Sequence, residues 1–354
     1  MQSFSDVDIQ SLSATLLEWG FKKSHAINLL RNFYRAPGGS DLSTICDGNT
    51  GKELTAKVNA NFKPLRSKVI HRHQSADGTV KLLIAMDSGG TIESVLMPSH
   101  FPDRAAGCVS SQIGCAMGCD FCASTKGGLE RSLEAGEIVD QFLHLRHEAA
   151  SQGRRLKTIV FMGMGEPLHN LDNVIAAVKR ITAPGMGRFG RKHITISTVG
   201  IVPGIERLCR EDLNVHLAVS LHAPDEETRQ RIIPTGKRYS IAEIMRASRE
   251  FENSTGRIPT IEYTLLAGVN DSEQQAHQLA ALMHDFRAHV NLIPYNSIGP
   301  GVSGTSYFKP DSSQMNKFLN ILRDYKIVAH FRRTRGDDVN AACGQLRERS
   351  VSAT

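Results

Sequence analysis

The hydrophobic pattern changes period twice along the chain. Up to about Pro64, apolar residues recur at helical spacing. Leu12, Leu16 and Leu17 form one group, and Ile27, Leu29, Leu30 and Phe33 form a second. Pro37-Gly38-Gly39 interrupts this pattern, and Asp41-Leu42 restarts it. Three short strand-like runs follow, at 69–73, 79–86 and 91–97, separated by Asp77-Gly78 and Gly89-Gly90. Such dipeptides supply the positive φ of tight hairpin turns, so these runs predict a small antiparallel meander. From about Gly107 strand and helix patterns alternate. Strands are predicted at 106–110, 158–162, 194–197, 215–220, 260–266 and 290–294, with helices at 134–150, 171–181, 241–252 and 272–286. A last helix at 312–325 leads to an extended run at 328–332 and a Gly- and Asp-containing loop that holds Cys343.

Strands separated by long helices imply right-handed βαβ units and a parallel sheet. The fold class is therefore α/β, and six such units favour an open, partial (β/α)6 barrel over a closed eightfold one. The expected organisation is a helical N-terminal domain (1–68), the β meander as linker (69–98) and a large α/β core (99–354). No internal repeat or low-complexity segment complicates this division.

Composition narrows the class. With 40% hydrophobic and 22% charged residues, the 354-residue chain is ordinary globular protein. No apolar run approaches the ~18–20 residues that a membrane span needs. The N-terminal residues are acidic and no apolar stretch follows, so a secretory signal is not expected and the chain is read as cytoplasmic. A net charge of +6 permits contact with nucleic acid without establishing it. The seven cysteines are odd in number, and four crowd between Cys108 and Cys122. A disulfide framework would not look like this, whereas metal binding or thiol chemistry in a reducing compartment would.

The strongest local signal is Cys115-Ala-Met-Gly-Cys119-Asp-Phe-Cys122. Three thiolates can converge from one such loop, but they complete neither a tetrahedral zinc site nor every iron of a four-iron cubane. A zinc site would need a fourth ligand from Cys108 or a histidine. Phe161-Met-Gly-Met-Gly165-Glu166-Pro-Leu168 follows a predicted strand. Glycines there let backbone approach a ligand closely, and a carboxylate can receive an ammonium group, although an ordinary βα loop would read the same way. Ser197, Ser220-Leu221-His222 and Asn296 stand at further strand ends, where α/β sheets bind ligands. Cys343, taken alone, would be a buried small apolar residue.

The C-x3-C-x2-C spacing is the signature of radical S-adenosylmethionine (SAM) enzymes. Taken with Cys108-Val-Ser-Ser-Gln-Ile-Gly, Ser220-Leu-His-Ala-Pro, Gly268-Val-Asn-Asp-Ser, Asn291-Leu-Ile-Pro-Tyr-Asn and Arg335-Gly-Asp-Asp-Val-Asn-Ala-Ala-Cys343-Gly-Gln-Leu346, the chain resembles the RlmN/Cfr family of radical SAM RNA adenine methyltransferases. The resemblance spans essentially the whole chain.

It implies a radical SAM barrel that holds a [4Fe-4S] cluster on Cys115, Cys119 and Cys122. SAM would lie against Gly165, Glu166, Ser197, Ser220, Leu221, His222 and Asn296. It implies that Cys343 takes a methyl group from one SAM by displacement and loses hydrogen to the radical made from a second. The resulting carbon radical adds to adenine, whose electron-poor ring carbon resists ordinary methyl transfer. Glu93 would then accept the ring proton, and Cys108 would attack the Cys343 sulfur, leaving a transient disulfide. Cys46 and Cys209 match neither thiol role.

Gly165-Glu-Pro-Leu168 and Arg335-Gly-Asp-Asp338 resemble the carbon-2 branch rather than the carbon-8 branch. Tyr295 and Asn340 stand where the family commonly has Trp and Asp. The implied partners are 23S rRNA, tRNA in dual-specificity members, and an electron donor such as flavodoxin, with the enzyme acting as a monomer away from membranes. Lys63, Arg66, Lys68 and Arg72, and the cluster Arg332, Arg333, Arg335, Arg347 and Arg349, are expected phosphate contacts. The competing readings are a zinc-containing RNA-binding protein and a radical SAM enzyme with a non-RNA substrate.

Overall fold

The computed structural model describes residues 1–36, 41–47 and 50–346. The Pro37-Gly38-Gly39 break and Arg347 and Arg349 lie outside the described residues.

The N-terminal unit begins with strand β1 (Gln2–Ser3) and continues through helices α1 (Ile9–Glu18), α2 (Lys23–Arg35), α3 (Leu42–Ile45) and α4 (Lys52–Asn61) to β2 (Phe62–Lys63), which pairs parallel with β1. Asp8 starts α1 by accepting the Ser11 N–H at 2.8 Å, which satisfies a first-turn donor. Leu12, Leu16, Leu29, Leu30 and Phe33 are buried as their spacing predicts, but Leu17 is half exposed. Helix α4 falls within the stretch expected to be helical, and its buried positions are Leu54 and Val58.

The meander is β3 (Ser67–Gln74), β4 (Val80–Met86) and β5 (Thr91–Pro98), and Gly78, Gly89 and Gly90 all have positive φ at its turns. It is not a separate linker sheet. Strand β5 pairs antiparallel with β6 (Arg104–Cys108), so that Val95 faces Cys108 and the meander continues the main sheet. After β6 the chain forms the hairpin β7 (Gln112–Gly114) and β8 (Leu129–Ser132), which brackets the cysteine motif, then α5 (Ala135–Ser151) and β9 (Arg155–Phe161). Next come α6 (Leu171–Thr182), β10 (Ile194–Thr198), α7 (Val202–Arg210), β11 (His216–Ser220), α8 (Glu226–Ile232), α9 (Ile241–Thr255) and β12 (Thr260–Leu265). The chain closes with α10 (Glu273–Leu282), β13 (His289–Pro294), α11 (Ser312–Asp324) and β14 (Val328–Phe331).

Among the described residues the sheet order is β14-β13-β12-β11-β10-β9-β6-β5-β4-β3, with every pair from β6 to β14 parallel. This is the expected partial barrel, with the extended run after α11 adding a seventh parallel strand. Strands such as β11, with Leu217, Ala218 and Val219 fully buried, are apolar on both faces because helices cover one face and the barrel interior the other. No described helix is long and apolar enough to cross a membrane.

Three of the four expected phosphate contacts before residue 73 are engaged within the protein. Arg66 pairs with Asp6 at 2.9 Å and with Glu134, Arg72 with Glu148 at 2.9 Å, and Lys63 with Asp87. The backbone N–H of Arg66 also donates to buried Asp140 at 2.7 Å. These contacts fasten the segment after β2 to α5 and to the turn before β5.

Candidate active site

The cysteine motif is a loop held rigid from three directions. Cys115 N–H donates to the Gly128 carbonyl at 2.8 Å, fixing the loop to the base of the β7–β8 hairpin. Thr125 Oγ1 donates to the carbonyls of Cys119 and Cys122, at 3.1 and 2.9 Å. Asp120 accepts from Ser303 N and from the Tyr307 hydroxyl, both at 2.7 Å, which ties the loop to the segment after β13. All three thiols line one cavity of about 150 Å³ at the carboxyl ends of the parallel strands.

Burial pushes the Cys115 thiol up to about 12, and raises Cys119 and Cys122 as well. Such thiols ionise when a bound cation compensates them. Among the described residues no group of three or more His, Cys, Asp or Glu side chains could hold a single metal ion. Three thiols lining one cavity suit a cubane, which takes each thiolate on a different iron.

The glycine-rich strand end is shaped by close packing. Gly165 has φ +97°, and a Cβ there would stand 2.5 Å from Gln112. The Gln112 side chain in turn accepts the Glu166 N–H at 2.9 Å. Glu166 is 2% exposed. Its two oxygens accept from Leu168 N at 2.9 Å and Val199 N at 2.8 Å. Burial nevertheless raises its carboxyl to about 7, so an arriving ammonium would be favoured there.

Ser197 and Ser220 approach to 3.5 Å across neighbouring strand ends. His222 Nδ1 accepts the Thr264 N–H at 2.9 Å, which leaves the ring proton on Nε2. Burial lowers His222 to about 3, so it serves as a neutral donor, with its ring against Phe121. Gly165, Glu166, Ser197, Ser220, His222 and Asn296 all line the cavity. Leu221 does not: it lies wholly in the core, and its N–H donates to the Glu262 carbonyl at 3.1 Å.

Cys343 reaches this cavity on a loop sewn to the cysteine motif. Ala123 N donates to Gly344 O, and Ser124 Oγ to Leu346 O, both at 2.6 Å. Asn296 Nδ2 donates to Cys343 O at 3.2 Å. Cys343 also lines a second, smaller cavity of about 30 Å³ with Cys108, Val95, Met97, Met162 and Arg332. It is therefore a wall shared by the cofactor-sized cavity and the one that holds Cys108. Burial and the neighbouring Cys343 push the Cys108 thiol up to about 12, and Arg332 pulls in the opposite direction.

Arg332 corrects an expectation. It turns inward rather than toward RNA phosphates, with Nη1 3.0 Å from Met162 sulfur and 3.7 Å from Glu262.

Glu93 is buried in β5, with Lys81 Nζ at 3.0 Å from its carboxylate. It lines neither thiol cavity. It opens instead on an adjoining cleft of about 590 Å³ with His71, His73, Lys81, Lys126 and Asn340. Lys81 also donates to the Asn340 carbonyl at 3.3 Å, which links that cleft to the Cys343 loop. Asn340 has φ 50°, a left-handed conformation that asparagine tolerates. Tyr295 lines the cofactor cavity.

Sequence reasoning missed Gln112, Asp120, Lys81, Arg229 and Glu262. Only Gln112 and Asp120, lying in or beside quoted motifs, carried a local signal.

A parallel sheet with three thiols, a glycine-rich turn and polar strand ends around one cavity defines a radical SAM enzyme. Residues 109–280 match the model of the radical SAM superfamily. The chain is 48% identical over 345 residues to a probable dual-specificity RNA methyltransferase RlmN 1 of Opitutus terrae, covering 98% of this chain and 96% of that one. It is 48% identical to the corresponding protein of Thermosynechococcus vestitus, over 81% of this chain and 82% of that one. A crystal structure of a radical SAM methyltransferase from Sphaerobacter thermophilus superposes with a TM-score of 0.91 at 38% identity, covering 98% of this chain and 99% of that one. The chain belongs to the RlmN family of radical SAM RNA methyltransferases, enzymes that use a [4Fe-4S] cluster and SAM.

Proposed function

We propose that this enzyme methylates carbon 2 of an adenine in 23S rRNA and of the adenine 3′ of the anticodon in tRNA, using Cys343 as the carrier of the methyl carbon. The observation that carries this reading is the position of Cys343 as the common wall of the cofactor cavity and the Cys108 cavity.

Cys115, Cys119 and Cys122 hold the cluster, and the polar strand ends hold SAM: Glu166 for the amino group, Ser197, Ser220 and Asn296 as hydrogen-bonding groups, His222 as a neutral donor and Leu221 through its backbone. When bound, the reduced cluster and SAM supply a 5′-deoxyadenosyl radical. The thiolate of Cys343 first accepts a methyl group by displacement. That methyl then loses a hydrogen atom, and its carbon forms a bond to adenine carbon 2. Glu93 removes the ring proton as the adduct gives its unpaired electron back to the electron-transfer centre. Cys108 attacks the Cys343 sulfur, which breaks its bond to the methylene carbon; that carbon takes up a proton to become the methyl group, and a Cys108–Cys343 disulfide is left for external thiols to reduce with two electrons. The reducing electron comes from a small donor protein such as flavodoxin.

Arg332 lines the small cavity with both thiols, and its charge favours the thiolate form of Cys108. Residues 1–68 act as an accessory RNA-binding domain, with 69–98 carrying Glu93 toward the core at 99–354. Gly165-Glu-Pro-Leu168 and Arg335-Gly-Asp-Asp338 favour carbon 2 over carbon 8. The target base must leave its stack to reach the thiols, as base-modifying enzymes require.

The test is nucleoside mass spectrometry of 23S rRNA and tRNA, analysed separately, from a host lacking its own carbon-2 methylase. 2-Methyladenosine should appear with this protein and be absent with Cys343→Ala. 8-Methyladenosine would overturn the assignment of the carbon.

A further inference from the structure

Arg229 in α8 is 1% exposed. Its Nη2 donates to the Val199 carbonyl, while Nε and Nη1 have no hydrogen-bond partner. Among the described residues it forms no ion pair. Gly236 makes room for the guanidinium, since a Cβ there would stand 2.7 Å from Nη1. Glu226 in the same helix acts on its charge without forming an ion pair with it, and a buried guanidinium with one hydrogen bond and no ion pair is costly unless something further offsets its charge.

Its surroundings show where the offset comes from. Arg229, Met117 and Val199 line a cavity of about 80 Å³, and Met117 and Val199 also line the cofactor cavity. The N–H of Asp120 in the cysteine loop donates to the carbonyl of Ile232 at the end of α8 at 2.9 Å, which holds the Arg229 helix against that loop. A four-iron, four-sulfide cluster on three thiolates carries one net negative charge when oxidised and two when reduced, and net charge is a main determinant of such potentials.

We propose that Arg229 is the built-in counter-charge of the iron–sulfur cluster, a positioning residue that raises its reduction potential and stabilises its reduced state. The same side chain fixes the cofactor loop. The Val199 peptide is held at both ends, its N–H by Glu166 and its carbonyl by Arg229. The inference rests on Cys115, Cys119 and Cys122 as cluster ligands.

The test compares wild type, Arg229→Gln and Arg229→Lys, each full length and reconstituted anaerobically. Iron content, the electron paramagnetic resonance signal of the reduced cluster and its midpoint potential are read. The Gln variant should show a more negative midpoint, with roughly tenfold less reduced cluster at a fixed poise, about 59 mV for one electron. The Lys variant should stay near wild type, because it keeps the charge while losing the fork. A Gln variant that cannot assemble a cluster while Lys can also supports the proposal. An unchanged midpoint in the Gln variant, or equal failure of both variants, overturns it. Cys119→Ala separates the two levels: a cluster that survives that substitution sinks the ligand assignment rather than the role of Arg229.

Discussion

Asn296 donates to the carbonyl oxygen of Cys343 at 3.2 Å, and its own side-chain oxygen accepts from Thr334 at 3.1 Å. Asn296, two residues past β13, thus ties the Cys343 loop to the segment holding Thr334, at the rim of the cavity that the three motif thiols line. Asn296→Ala should lower kcat for RNA methylation by about tenfold to a hundredfold, the scale of a misplacement near 1 Å. Steady-state kinetics on an RNA substrate would show it, and an unchanged kcat would remove Asn296 from the positioning of Cys343.

Lys81 and Glu93 form a buried pair at 3.0 Å. Removing the cation takes away one charge that favours the carboxylate, so the neutral form of Glu93 gains relative to the ionised one. Glu93 must be ionised to accept the ring proton. In Lys81→Met the acid limb of the pH–rate profile should therefore move to higher pH, and Lys81→Arg should restore much of it. An acid limb that stays in place would argue against Glu93 as the base.

Arg332 opposes the burial that pushes Cys108 up to about 12. Arg332→Met should slow alkylation of Cys108 at a fixed alkaline pH, because less of the thiol is then ionised. Peptide mass spectrometry after timed iodoacetamide treatment reads the site. Unchanged alkylation would return Arg332 to a structural or RNA-facing role.

Asp140 in α5 accepts the Arg66 N–H at 2.7 Å and the Ser67 hydroxyl at 2.9 Å, yet burial raises its carboxyl to about 7. The folded value lies above the unfolded one. The stability this group contributes is complete below about pH 4 and is lost as pH rises toward about 7, on the order of 4 kcal/mol in total. Asp140→Asn has no such loss, so it should gain stability relative to wild type across that window. Urea unfolding at several pH values measures the difference, and a difference that does not vary with pH would show Asp140 to be ionised throughout.

What the sequence made legible was local. Strands β9 to β13 were placed within a few residues because each carries β-branched or aliphatic residues, in a run or in alternation, between clear boundaries. Helix α7 was not foreseen because Pro203 and Gly204 look like breakers. In the structure proline sits in the first turn, where no N–H is needed, and Gly204 meets Leu168, toward which a Cβ would stand 2.8 Å away. The cysteine motif and the Gly165-Glu166 turn were readable because short spacing constrains their geometry. Partners joined only by the fold carry no such pattern: Lys81 with Glu93, Arg229 with Val199, and Arg332 with Met162 and Glu262. The continuity of the meander with the barrel was hidden for the same reason, since the pairing of Val95 with Cys108 is a matter of register.

The central claim is that Cys343 carries the carbon delivered to RNA and that Cys108 releases it. The most direct test is anaerobic reaction of Cys108→Ala with SAM, reductant and RNA, followed by denaturing electrophoresis and mass spectrometry of the joined peptide. The account predicts a stable protein–RNA adduct linked from the Cys343 sulfur through one carbon to adenine carbon 2, with little free methylated RNA. Release of methylated RNA at the wild-type rate, with no adduct at Cys343, would contradict it.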